Sequence, residues 1–396
     1  MRSTKQITNY LLIILVGNFF FCSYKDTEGD KSFLNENYVS GKRSKAHIVR
    51  EIKIDVSDNQ YDYYTSNIYS MNNDDYFYGV DIQKSVLLIY NLWDARLFRE
   101  IDLSFSPEND FGDVMESYIH NFDSIFLLAP DYHKVSLIDT SGTLSNQWNL
   151  RRDISNNNLE GIDSGENGDH FSYIPSTKEL IIYSYPRKNP FTDASYYKEK
   201  IKLVYNIEEE TSYMFGHYPE IYANPDLGVP GIDEFYATTI LDSIICLSFP
   251  RSSEIDIYEI ETKNLKNRVK VSSSFFSNTP AIKRTMEYDL MMETYISFPY
   301  FLNLLRDKNK YYRIVKLYQP YILNNNKYSI QSESPWSIIV CDSSFNVISE
   351  CRFKSKEYDF NKSFMTTQGL IISKDSPSNK NDKEDYIEFD LIRIDI

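Results

Sequence analysis

The chain has 396 residues, 42% hydrophobic and 15% aromatic, with 33 Tyr and 24 Phe and a formal net charge of −15. That is ample apolar surface for a large core. The negative charge argues against nucleic acid and anionic lipid as main partners, because both are held through Lys and Arg.

The first element is a targeting segment. Arg2 and Lys5 give a basic start, and Tyr10 to Phe21 is apolar apart from Gly17 and Asn18. About a dozen apolar residues fit a secretory segment and fall short of the roughly 18–20 that span a bilayer. The run stops at Cys22, and the chain turns acidic at Asp26, Glu28 and Asp30. A cysteine at such a junction is where bacterial lipoproteins are cut and acylated, and acyl chains anchor at about 0.8 kcal/mol per buried CH₂. Phe21 stands where a small residue is usual. A plain signal peptide and an uncleaved anchor are the other two readings, and all three export the protein. Residues 1–22 are therefore assigned as a signal peptide with lipidation at Cys22, and residues 23–45 as a flexible linker. The basic stretch Ser40 to His47 falls at the end of that linker.

Nearly everything beyond the linker reads as strands: short runs of Tyr, Phe, Ile, Val and Thr cut by Asn, Asp, Ser and Gly. "AHIVREIKIDV" (Ala46 to Val56) is a strand with no partner in its own neighbourhood. A four-strand unit then repeats. Its clearest copy is Ser117 to Leu150, with strands at Tyr118–Asn121, Ile125–Ala129, Val135–Asp139 and Leu144–Leu150. Similar copies run from Asn67 to Leu103 and from Phe235 to Val271, and looser ones from His170 to Phe215 and from Tyr295 to Phe353. The stretch Lys283 to Glu293 reads as a short helix within a loop. The last copy stops after its third strand at Ile396.

Six units, the last completed by Ala46–Val56, predict an all-β six-bladed β-propeller over residues 46–396, closed by its N-terminal strand. The rival fold is a pair of β-sandwiches. The repeat is longer than a usual blade, with the excess in loops at Arg187–Lys200, Gly216–Glu234, Ser272–Glu293, Tyr318–Ser334 and Lys374–Asp385. Cys246, Cys341 and Cys351 are odd in number and contain no CxxC, so they read as buried free thiols. In the hairpin "IIVCDSSFNVISECRF", Cys341 should face a residue near Asn346, which leaves it too far from Cys351 to bridge.

The anchor cysteine with its acidic follow-on, the unit "HNFDSIFLLAPDYHKVSLIDTSG" and the preceding loop "SPENDFGD" carry a resemblance. The chain resembles the β-propeller lipoproteins of unknown function abundant in Bacteroidota, of the TolB-like and NHL-like group. The likeness spans nearly the whole chain and implies an envelope lipoprotein at the outer membrane, on its periplasmic or surface face. It implies no catalytic residues.

Motifs for chemistry are sparse: no GxSxG, HExxH, Walker loop or GxGxxG occurs. Of five histidines, His120 and His170 fall on or beside predicted first strands, which line a propeller's channel, where the two could approach each other. No cofactor is expected. Two acidic loops carry donor types that suit calcium, though neither has EF-hand spacing: Glu108, Asp110, Asp113 and Glu116 in one, Asp163, Glu166, Asn167 and Asp169 in the other. The candidate ligand-binding residues are Tyr118, His120, Asp169, His170, Tyr173 and Arg284. The expected role is a membrane-anchored binding propeller for a glycan, peptide or envelope protein. A polysaccharide hydrolase or lyase using channel-mouth carboxylates and a scaffold subunit of an envelope complex are the alternatives. Carboxylates with a histidine around one pocket would favour the enzyme, and an aromatic platform without them would favour binding.

Overall fold

A computed structural model describes residues 42–56, 63–106, 110–164, 170–193, 195–223, 236–241, 243–276, 287–322, 327–374 and 386–396. The predicted ring is present. Six antiparallel sheets follow one another along the chain as blades 1 to 6. Blade 1 holds β3 (Tyr63–Met71), β4 (Asp74–Asp81), β5 (Val86–Asn91) and β6 (Arg96–Asp102). Blade 2 runs from β7 (Glu116–Asn121) through β8 (Ser124–Ala129) and β9 (Lys134–Ile138) to β10 (Leu144–Asn149). Blade 4 is β16 (Ala237–Ile240) to β19 (Leu265–Lys270), and blade 5 is β20 (Tyr300–Asp307), β21 (Lys310–Lys316), β22 (Trp336–Asp342) and β23 (Val347–Phe353). In each blade the first strand is innermost, and these inner strands abut one another around the centre.

Local chemistry explains the hairpins. The first turn of blade 1 is Asn72-Asn73, both at positive φ, which the right-handed twist of a two-residue hairpin requires and Asn tolerates. At the third-to-fourth turn, an Asn or Asp side chain caps the backbone in four blades. Asn91 accepts from the Trp93 and Asp94 N–H groups, and Asp139 from those of Ser141 and Thr143. Asn206 and Asp342 repeat the arrangement in blades 3 and 5.

Blade 6 closes the ring as expected. It comprises β24 (Asp359–Thr366), β25 (Gly369–Ser373) and β26 (Tyr386–Ile394), and β2 (Ala46–Asp55) supplies its outer strand, running antiparallel from Ala46↔Ile394 to Asp55↔Tyr386. The buried Asp75 carboxylate of blade 1 accepts bonds from Ser70, Trp93 and, across the closure, the Thr367 N–H and hydroxyl of blade 6.

Three details depart from expectation. Lys42–Arg43, assigned to the linker, forms β1, which pairs in parallel with β23 on the outer edge of blade 5. Blade 3 has its inner strand in two pieces, β11 (Leu159–Asp163) and β12 (Ser172–Ile174), both paired to β13 (Glu179–Pro186), followed by β14 (Lys200–Asn206) and β15 (Thr211–His217). The unit therefore starts before His170, and a short helix, α1 (Arg151–Asn156), precedes it. The second helix among the described residues, α2, covers Tyr288–Ser297 and so runs past the expected end at Glu293, while residues 283–286 lie outside the described residues.

Six apolar clusters fill the six seams between neighbouring blades, as in blade 1 against blade 2, where Tyr78, Leu87, Ile89, Phe111, Ile125 and Ile138 interlock. Cys246, Cys341 and Cys351 are buried and free, and Cys341 pairs Val347 across its hairpin while Cys351 pairs Ile338. No helix among the described residues is long and apolar enough to cross a membrane.

Candidate functional site

Strand parity decides where loops emerge. First-to-second and third-to-fourth hairpins share one face of the ring, and they are short. Second-to-third connections and links between blades share the other face. All five long loops anticipated from the sequence therefore leave from strand ends on one face.

A cavity of about 710 Å³ occupies the centre, lined from the inner strands of all six blades. Asn67 comes from blade 1, Tyr118 from blade 2, Tyr173 from blade 3, Thr238 from blade 4, Asn303 from blade 5 and Ser363 from blade 6. His170 and Arg306 add one imidazole and one guanidinium. On several of these strands consecutive residues reach the cavity, as in Thr238–Ile240, Asn303–Arg306 and Ser363–Met365.

The aromatic part of the lining is held firmly. Tyr173 packs on Phe126 at 4.6 Å and meets His120 edge-on at 5.4 Å. Burial, with Tyr69 and Tyr173 close by, pushes the Tyr118 phenol above its ordinary pKa, so it stays a donor at neutral pH. His120 is shifted the other way, by burial and then by Lys178. His170 is oriented across the 2–3 seam. Its Nδ1 lies 3.2 Å from Oε1 of Glu116, a buried carboxylate that also accepts from the Phe171 N–H at 3.0 Å. Bonding to this carboxylate fixes which way the His170 ring is turned.

Of the residues expected from sequence, Tyr118, His170 and Tyr173 line the cavity. His120 supports it through Tyr173. Cys22, Asp169 and Arg284 lie outside the described residues. The two histidines do not meet: Glu116, which holds His170, and His120 stand four residues apart on β7, about 13 Å at a strand's rise. Of the acidic-loop residues, Asp110 is paired to Lys134 at 3.0 Å and Glu116 is turned to His170. Glu108, Glu166 and Asn167 lie outside the described residues, among which no group of three His, Cys, Asp or Glu has metal-holding geometry.

Sequence reading missed Asn67, Thr238, Asn303, Arg306 and Ser363. The available signal was positional. All except Arg306 stand two to four residues before the end of their first strand, as Tyr118 does.

A second cavity, about 520 Å³, lies at the rim of blade 3. Tyr183, Tyr185 and Tyr196 line it with Asp163 and Glu160. Burial, and secondarily Asp131, raises the Asp163 carboxyl. Glu160 is bridged to Arg187 at 3.4 Å. No histidine joins these carboxylates among the described lining residues.

The chain belongs to the DUF4221 family, a domain of unknown function whose family model matches residues 45–352. No curated protein matches it. A DUF4221 member from Bacteroides vulgatus superposes with a TM-score of 0.74 at 17% identity, over 90% of this chain and 99% of that one. A Bacteroides fragilis protein named as a candidate exported protein superposes with a TM-score of 0.51 at 11% identity, over 90% and 99% of the two chains. At these identities the likeness concerns the fold.

Proposed function

We propose that this DUF4221 chain is an exported, lipid-anchored binding protein whose central channel takes a neutral, hydroxyl-rich ligand such as a glycan segment. One observation carries the reading. The 710 Å³ cavity mixes amides and hydroxyls with two tyrosine rings, His170, Arg306 and apolar side chains such as Ile240, Leu305 and Phe364, with no Asp or Glu among its described lining residues. Asn67, Asn303, Thr238 and Ser363 can donate to and accept from sugar hydroxyls, and tyrosine rings suit the apolar face of a pyranose.

The same lining weighs against a glycosidase. That chemistry needs two carboxyl groups flanking the bond, about 5–9.5 Å apart, whereas Glu116, the carboxylate bonded to the lining residue His170, is buried and also tied to the Phe171 N–H. Anchoring is supported by the apolar run ending at Cys22.

Two experiments test the two halves. Titration calorimetry against neutral oligosaccharides should show binding, and Tyr118→Ala and Arg306→Ala should each weaken it about tenfold or more, roughly 1.4 kcal/mol. Binding of extended peptides instead, with the same two variants weakened, would replace the glycan. In cells fed a labelled fatty acid, wild type should take up label and Cys22→Ala should not. An unlabelled wild type would overturn the anchor.

A further inference from the structure

The cavity at the rim of blade 3 has a chemistry unlike that of the central channel. Three tyrosine rings, Tyr183, Tyr185 and Tyr196, meet the carboxylates of Glu160 and Asp163 there. The sheet explains the arrangement. Asp163 pairs Tyr183 and Gly161 pairs Tyr185 across β11 and β13. Directly paired residues share a face of a sheet, so both rings and the Asp163 carboxylate are turned the same way. Gly161 makes the room. A Cβ there would lie 2.6 Å from the Tyr185 hydroxyl and 3.0 Å from its Cζ, so the ring rests on bare backbone of β11.

The charges around this cavity do not cancel. Glu160 is bridged to Arg187, and the Lys188 ammonium is taken by Glu199 and by the Ser195 hydroxyl at 2.8 Å. Lys202 is fully buried and is not among the described lining residues, and its Nζ lies 5.7 Å from the centre of the Tyr183 ring and 5.0 Å from that of Tyr236. Asp163 differs from the other carboxylates. Its Oδ1 accepts from the Ser164 N–H at 2.8 Å, its Oδ2 accepts nothing among the described residues, and none of their cations is within ion-pair distance. Asp131 is near enough to add its field. Burial, then Asp163, Glu160 and Asp131, raise the Tyr185 phenol, which stays protonated in the midst of three carboxylates. Glu160, Asp163, Asp131 and Glu199 thus outnumber Arg187, Lys188 and Lys202 by one, and the surplus falls at Asp163. A chain of net charge −15 adds a field of the same sign.

We infer that the blade 3 cavity binds an organic cation, an ammonium group on a short carbon chain, with Asp163 as its counter-ion and Tyr185 and Tyr196 as its ring walls. An ammonium has three donors and no acceptor, and Asp163 Oδ2 and the Tyr185 hydroxyl offer it acceptors. Tyrosine faces attract a cation, and Lys202 over Tyr183 and Tyr236 shows this cluster already doing so. The cavity's 520 Å³ falls within the usual range of small-molecule pockets, about 300–1,000 Å³. It shares no described lining residue with the central channel, so the inference stands apart from the glycan reading.

The test is titration calorimetry on the full folded chain at low ionic strength, with putrescine, Nα-acetyl-lysine amide and neutral 1,4-butanediol as probes. The amines should bind and the diol should not. Putrescine alone would identify a free polyamine as the source of the ammonium, and the lysine derivative alone a protein side chain. Asp163→Asn should weaken amine binding about tenfold or more. It should leave the melting temperature unchanged or higher, because a desolvated carboxylate without a counter-ion is removed. Arg187→Gln takes away the exposed cation at the same cavity and should tighten amine binding about threefold. That variant keeps the test decisive if Asp163→Asn fails to fold. Absence of binding by both amines, butanediol binding as tightly as putrescine, equal affinity in wild type and Asp163→Asn, or weaker binding by Arg187→Gln would each overturn the assignment. Neutral oligosaccharides report on the channel alone, so failure of either reading leaves the other standing.

Discussion

Two seams of the same ring close with opposite chemistry. Between blades 1 and 2 an apolar cluster runs from Tyr78 and Leu87 to Ile125 and Ile138. Between blades 4 and 5, Ile255, Val271, Leu304 and Val315 do the same work, yet Arg313 and Glu350 are buried beside them. Arg313 donates to the carbonyls of Ser252, Ser253 and Val271, and Glu350 accepts from the hydroxyls of Ser273, Ser274 and Ser337. On the other face of β21, toward blade 6, Lys316 is fully buried and donates to the carbonyls of Ile296, Phe298 and Leu317. The second seam therefore adds hydrogen bonds of fixed direction to packing that has none.

The largest effect should come from a third seam, where a buried charge is matched by donors from both sides. Asp75→Ala strands the Trp93 indole and the Thr367 N–H and hydroxyl across the ring closure. Its expected cost is about 3–5 kcal/mol by urea denaturation, and a loss below about 1 kcal/mol would show that closure does not depend on it. Next, Leu87→Ala in the apolar seam removes a fully buried side chain and should cost about 2–5 kcal/mol, with little dependence on salt.

Lys316→Met should behave differently. At pH 7 the desolvated charge and its three hydrogen bonds offset one another, so the change should stay within about 1 kcal/mol. Burial, and secondarily Arg251, holds the Lys316 ammonium well below its ordinary pKa. Between that lowered value and the ordinary lysine range the unfolded chain binds the extra proton, so wild-type stability from this group rises with pH. Denaturation at pH 7, 8.5 and 10 should show wild type gaining on the variant. A difference that does not change with pH would mean that the buried group is not a strained ammonium.

The smallest effect is a rate. Cys246 and Cys341 both lie in the 4–5 seam, and burial pushes each thiol up to about 12. Iodoacetamide at pH 8 should therefore label them only as the seam opens. Fast labelling in the native protein would mean an open seam.

Much of the ring was legible because each blade restates the same local physics. Turn residues such as Asn72-Asn73 and Asp139, and the apolar runs between them, mark the hairpins without reference to distant contacts. The orphan strand Ala46–Val56 and the truncated last unit point to each other for the same reason. The split inner strand of blade 3 was hidden because Leu159–Asp163 is separated from Ser172–Ile174 and looks like a loop. β1 has only two residues, and parallel pairing leaves no hairpin signature. Tyr118, His170 and Tyr173 were found by topology, since aromatic and histidine side chains stand out on a first strand. Thr238 and Ser363 do not stand out, because small hydroxyl residues are common on strands everywhere. Arg313 and Lys316 were unreadable for a sharper reason. In "KYYRIVK" a strand pattern assigns charged residues to water, and only the approach of blade 4 and α2 buries them.

The closing strand has a consequence for how such a chain is made. His47 is bonded to Asp395, so the first blade-forming residues wait for the last ones before their sheet exists. Contacts spanning nearly the full length are slow to form and come late. During synthesis the ring is a row of five blades with one end unsealed. It cannot snap shut until Tyr386–Ile394 has left the ribosome.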